Sequence, residues 1–112
     1  MHEQLAAVPT LQAYAAHAEL DRDTMDAMLD EAERTARDLI APLNAPGDKQ
    51  GCRLDADGNV RTPDGYKEAY KAFVDGGWIA LGAPAEFGGL GMPHVMEAAL
   101  GEMVTGACPA FS

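Results

Sequence analysis

The stretch Asp23-Thr24-Met25-Asp26-Ala27-Met28-Leu29-Asp30-Glu31-Ala32-Glu33-Arg34-Thr35-Ala36-Arg37-Asp38-Leu39-Ile40-Ala41-Pro42 carries the clearest periodicity in the chain. Met25, Met28, Leu29, Ala32, Ala36, Leu39 and Ile40 recur at three- and four-residue spacing, which makes one apolar helix face over roughly five turns. Asp23 is the expected cap at its start. Asp30 with Arg34, and Glu33 with Arg37, are acid-before-base pairs one turn apart, each worth a few tenths of a kcal/mol. Pro42 is expected to end the helix, because the residue before a proline avoids the α region.

Working outward, residues 10–20 suggest a shorter helix. Leu11, Tyr14, Ala15 and Ala18 form its stripe, with Thr10 as cap. Downstream, prolines and glycines punctuate residues 42–65 and predict a loop. Inside it, residues 53–60 resemble a short hairpin around an Asp-Gly turn. Asp55, Asp57 and Asn59 also match positions 1, 3 and 5 of a calcium loop. That match fails where Val60 replaces the required glycine and Tyr66 the required glutamate, so the turn is preferred.

A third helix starts at Asp64 or Gly65, with Tyr66, Ala69, Tyr70, Phe73 and Val74 on its apolar stripe, and stops at Gly76-Gly77. Trp78 to Leu81 reads as a buried connector. Residues 82–93 are glycine-rich. A fourth helix follows Pro93, with Met96, Ala99, Leu100, Met103 and Ala107 on one face and interruptions at Gly106 and Pro109. The expected fold is therefore all-α: a small antiparallel bundle of four main helices with a Gly/Pro-rich, hairpin-containing loop.

The core of such a bundle is thin. Of 112 residues 47% are apolar, but alanine supplies 21 of them. A domain this small buries a modest fraction of its surface, so the bundle is expected to be incomplete on its own. Exposed apolar stripes predict dimers or aggregates. With 18 acidic against 8 basic residues, the net charge of −10 repels phosphate backbones and argues against nucleic-acid binding. No apolar run is long enough to cross a bilayer. The N-terminus lacks the regions of a secretory signal. Two cysteines, Cys52 and Cys108, are too few for a disulfide scaffold, and a cytoplasmic protein with reduced thiols is expected.

Few residues form a recognisable constellation. His2, His17 and His94, like the two cysteines, lack metal-ligand spacing. The only serine is Ser112, which leaves no internal serine nucleophile. Glu86, Glu97 and Glu102 are candidate carboxylates, but Glu97 and Glu102 point roughly 140° apart on one helix and are read as solvated. The Gly88-Gly89-Leu90-Gly91 turn precedes a helix, yet no Gly-Lys-Ser/Thr follows and the glycines do not fit a dinucleotide fingerprint. A tight turn between helices is the preferred reading. The methionines are read as core filler, compatible with a flexible acyl chain.

One ordered set of segments is more specific. Ile40-Ala41-Pro42-Leu43-Asn44, Gly47-Asp48, Gly51-Cys52, Thr62-Pro63, Gly65-Tyr66-Lys67-Glu68-Ala69-Tyr70, Gly76-Gly77-Trp78 and Pro84-Ala85-Glu86-Phe87-Gly88-Gly89-Leu90-Gly91 follow one another in this order. In that order they resemble the N-terminal helical domain of acyl-CoA dehydrogenases, in particular the larger bacterial type that acts on 3-methylmercaptopropionyl-CoA. The resemblance covers residues 22–112 and leaves residues 1–21 as an arm. It implies an FAD enzyme of fatty-acid or related acyl-CoA catabolism, with a helical, a β and a second helical region. In such an enzyme a glutamate removes the α-proton of an acyl-CoA, a hydride passes to the flavin, and electrons go to an electron-transfer flavoprotein.

The flavin-binding region and that glutamate have no counterpart among these residues. The chain alone is expected to be inactive and to hold neither FAD nor a metal, with no catalytic residue assigned. The resemblance further implies a homo-oligomer, and it makes Phe111 and Ser112 the expected substrate-binding residues, lining the acyl pocket. The alternatives are a subunit of a split dehydrogenase, a non-catalytic helical interaction module, and a small carrier of acyl chains.

Overall fold

A computed structural model describes residues 1–112. Two short helices, α1 (His2–Leu5) and α2 (Ala7–Gln12), open the chain, and a single 3₁₀ turn follows at Ala15–His17. The long helix α3 (Arg22–Thr35) runs through a π turn at Ala36–Ile40 directly into α4 (Ala41–Gln50). Strands β1 (Arg53–Leu54) and β2 (Val60–Arg61) form an antiparallel hairpin with Leu54 opposite Val60. Helices α5 (Tyr66–Asp75) and α6 (His94–Ala107) complete the order, with 3₁₀ turns at Trp78–Ala80 and Ala85–Phe87 between them. The fold is mostly helical, as the periodicity predicts.

Several boundaries differ from the sequence reading, each for a local reason. The first helix lies earlier than residues 10–20. Thr10 sits inside α2, where its amide bonds the Ala6 carbonyl at 3.1 Å, and Tyr14 is exposed. An alanine stripe releases too little free energy on burial to hold a longer helix together. The arm is instead fastened by a 2.7 Å contact between His2 Nε2 and Asp26, and by a 2.7 Å bond from the Gln12 amide to the Leu20 carbonyl. Asp21, not Asp23, caps α3: it accepts from the Thr24 amide and hydroxyl, both at 2.8 Å. Glu33 and Arg37 pair at 2.6 Å as expected, whereas Arg34 turns to Glu31 at 3.5 Å rather than to the Asp30 carboxylate.

Pro42 does not end the helix. In the π turn the Ala41 amide reaches back to the Ala36 carbonyl, one residue further than in an α-helix. That wider turn takes up the backbone misfit just before the proline, and Pro42 then occupies the first turn of α4, where a missing amide costs little. The helical rod therefore extends to Gln50, into the segment expected to be loop. Gly106 likewise fails to interrupt α6, which continues to Ala107.

The core forms where α3, the π turn and α6 meet. Met25, Ile40, Met96 and Cys108 are its largest fully buried side chains, joined by Leu20, Leu81, Leu100 and Val104. Only part of the Trp78–Leu81 connector is buried: Leu81 is enclosed, while Ile79 is exposed. The molecule measures 56 × 30 × 16 Å, and 16 of its 112 residues are buried. A slab that thin is about one and a half helix diameters deep, so helices shield one another on few sides.

Candidate functional site

The richest convergence of side chains lies where the end of α4, the start of α5 and the turn after α6 meet. Pro109 follows α6 and stops it. Cys108 becomes extended, and the Phe111 amide returns to the Cys108 carbonyl at 3.0 Å. This compact turn carries Phe111 back over α5. Its ring meets Phe73 edge-on, with centroids 5.9 Å apart at 82°, and Tyr66 at 6.2 Å with a 53° tilt. Such arrangements suit the quadrupoles of aromatic rings.

Tyr66 is the hinge of the cluster. Its hydroxyl lies 3.3 Å from the Cys108 sulfur, so α5 is tied to the end of α6. The hydrogen bond to Cys108, assisted by burial, pushes the phenol up to about 12 from its ordinary value of 10.0. Gly47 makes room for the ring: a β-carbon there would come within 2.7 Å of Tyr66 Cε2.

Two concavities flank Tyr66. One, of about 390 Å³, is mostly apolar and lies beneath Phe111, lined by Thr62, Tyr66, Lys67, Tyr70 and Ala110. The other, of about 450 Å³, lies on the α4 side and includes Asn44, Gly47, Asp48 and Cys52. Phe111, expected as a pocket residue, is half-buried at the first concavity. Ser112 is exposed, and its hydroxyl donates to the Pro109 carbonyl at 3.2 Å. The two thus share a turn, but only Phe111 joins the aromatic cluster.

The other sequence candidates do not converge. Glu86 and Glu102 are exposed, and Glu97 contacts His94 Nδ1 at 2.9 Å beside Gly82. His2 is engaged with Asp26 in the arm. No three His, Cys, Asp or Glu residues gather closely enough to hold a metal ion. The hairpin takes the turn reading. Asp55 accepts from the amides of Asn59 (2.8 Å) and Asp57 (3.1 Å) and from Arg61 (2.9 Å), and the Asn59 amide bond is the chief cause that lowers its carboxyl from the ordinary value.

The glycine-rich loop closes on itself. The amides of Gly88, Gly89, Leu90, Gly91 and Met92 donate to the carbonyls of Ala85, Pro84, Ala80, Ala83 and Leu81, all within 3.2 Å. The Gly89 α-carbon is pressed against the Ala83 carbonyl, which leaves no space for a side chain. With those amides engaged, the loop offers no cradle to a pyrophosphate, whose binding depends on free backbone donors. In this loop the residues present do not fit the pyrophosphate of FAD.

Sequence reasoning placed Tyr66 on a core stripe but missed its bond to Cys108 and its contact with Gly47. No sequence signal pointed to either contact, because Gly47 lay in a segment read as loop and Cys108 is 42 positions from Tyr66.

No family model matches the chain. Three curated relatives do. It is 43% identical over 109 residues to the 3-methylmercaptopropionyl-CoA dehydrogenase of Ruegeria pomeroyi, a match that covers 97% of this chain and 18% of that protein. It is 32% identical over 94 residues to the broad-specificity linear acyl-CoA dehydrogenase FadE5 of Mycobacterium tuberculosis, covering 83% of this chain and 15% of the relative. It is 33% identical over 91 residues to the butyryl-CoA dehydrogenase of Syntrophomonas wolfei, covering 80% and 15%. The chain belongs to the acyl-CoA dehydrogenase family. It spans less than a fifth of the length of the relatives it matches.

Proposed function

We propose that this chain forms one wall of the acyl pocket in an FAD-dependent acyl-CoA dehydrogenase, and that it is inactive without the regions that hold flavin and the catalytic base. In this reading residues 22–112 are the N-terminal helical domain and residues 1–21 an arm. The substrate is an acyl-CoA thioester, electrons pass to an electron-transfer flavoprotein, and the enzyme is a cytoplasmic homo-oligomer. The observation that carries the reading is the apolar concavity beneath Phe111, in a chain whose relatives are dehydrogenases of acyl-CoA substrates. Phe111, backed by Phe73 and Tyr66, supplies a rigid apolar surface for an acyl chain, and Ser112 stands beside it on the same turn.

A chimera tests this. The matching segment of the Ruegeria pomeroyi enzyme is replaced by this chain, and the product is assayed on acyl-CoA substrates. An active, yellow chimera is expected, in which Phe111→Ala raises KM for the acyl-CoA more than it lowers kcat. A folded, yellow chimera whose KM ignores Phe111→Ala would remove the pocket-wall role.

A second reading, an interaction module or subunit of a split dehydrogenase, is favoured by the exposure of Leu54, Val60, Ile79, Phe87 and Leu90 on so thin a molecule. It predicts that the chain, expressed alone, restores activity to a separately expressed remainder of the enzyme.

A further inference from the structure

We infer that the Tyr66 ring is a partition that sets how much apolar chain the slot beneath Phe111 accepts. The inference rests on the acyl-wall reading and adds a specificity-determining residue to it.

The two concavities share Thr62, Tyr66 and Ala110. Of these, Tyr66 alone presents a large rigid surface, and its residue is buried. Tyr66 lines the slot together with Phe111, Tyr70 and Lys67. It also borders the space lined by Gly47, Asn44 and Cys52. The ring is held at its hydroxyl end, where the Cys108 sulfur meets it and Gly47 lies so close that no β-carbon fits, and Phe111 tilts against it. A side chain seated at its hydroxyl end and packed by a second ring has little freedom to turn, and acts as a wall. With the ring in place, the slot measures about 390 Å³. Without it, the slot opens into a neighbour of about 450 Å³. Because apolar binding scales with the surface removed from water, each further methylene accommodated tightens binding about fourfold. The partition therefore converts a continuous preference for longer chains into a cut-off.

The test titrates the isotopically labelled full chain with butanoate, octanoate and tetradecanoate, following backbone amides by NMR. In the wild type, chains are expected to shift Tyr70 and Phe111 and leave Asn44 and Cys52 unmoved. In Tyr66→Leu, octanoate and tetradecanoate should shift both sets, and tetradecanoate should bind more tightly than to the wild type by about fourfold or more. Tyr66→Phe, which keeps the ring, should behave as the wild type.

Gly47→Ala gives an independent reading should Tyr66→Leu fail to fold. Its β-carbon pushes the ring toward Phe111, so octanoate binding should weaken by about fourfold while helicity is retained. The partition is overturned if wild-type ligands already move both sets, or if Tyr66→Leu and Gly47→Ala leave ligand affinity unchanged. If no chain length moves Phe111 or Tyr70, the partition is overturned, while the acyl-wall reading stands or falls by the KM of the chimera.

Discussion

The Tyr66 hydroxyl sits 3.3 Å from the Cys108 sulfur, across 42 positions of sequence, and so joins the start of one helix to the end of another. The bond leaves a titration signature. Tyr66 ionises at about 12 rather than 10.0, chiefly because its proton is shared with Cys108 and secondarily because the ring is buried. A pKa raised by folding means that the folded state holds the proton more tightly. The stabilisation is present in full below pH 10 and is lost as pH rises from 10 to 12. A phenolate absorbance titration should show one of the three tyrosines ionising late, and Cys108→Ala should move that step toward 10.0. Thermal melts should decline across the same window, less steeply in Tyr66→Phe.

Adjacent glycines in the loop should respond unequally to alanine. A β-carbon at Gly89 would overlap the Ala83 carbonyl, so the loop must open to admit it. At Gly88 there is open space, and the backbone alone resists, with φ at +81°. Gly88→Ala should cost about 1 kcal/mol, a left-handed residue's strain, and Gly89→Ala about 2–3 kcal/mol, an overpacking cost. Urea unfolding measures both, and hydrogen exchange at Gly91 and Met92 should accelerate only in Gly89→Ala.

The hairpin should open at low pH. Asp55 is held below its ordinary value of 3.8, first by the Asn59 amide and then by Arg61 and the Asp57 amide. A carboxyl lowered by folding lends stability above its unfolded pKa, and that contribution disappears as pH falls through the folded value. Contacts between Leu54 and Val60, observed by NMR, should weaken in acid below the ordinary Asp range. Asp55→Ala should show the same weakening at neutral pH.

Self-association should increase with salt. Phe87, Leu54 and Val60 are 78%, 73% and 67% exposed and offer apolar surface to another copy, while the net charge of −10 opposes the approach. Near 1 M salt the screening length shrinks to about 3 Å. Sedimentation velocity should then show a larger dimer or oligomer fraction than at low ionic strength. A monomer at all salt concentrations would mean that these residues do not form a cohesive patch.

The helices whose apolar residues recur with strong side chains were legible beforehand: α3, α5 and α6, the hairpin between them, and the family likeness carried by the ordered motifs. Local chemistry sufficed there, because each stripe and each turn is specified by residues within a few positions of one another. Phe111 was reached through that likeness, not through its own spacing. Tertiary contact decided the rest. The arm broke into short helices because its alanines supply too little apolar area. The rod passed Pro42 because a π turn relaxed the backbone just before it. The aromatic cluster arose because Gly47, Tyr66 and Cys108 meet from three helical segments. Pairings of that kind depend on which surfaces fit at close range, and a single chain position carries no record of its distant neighbour.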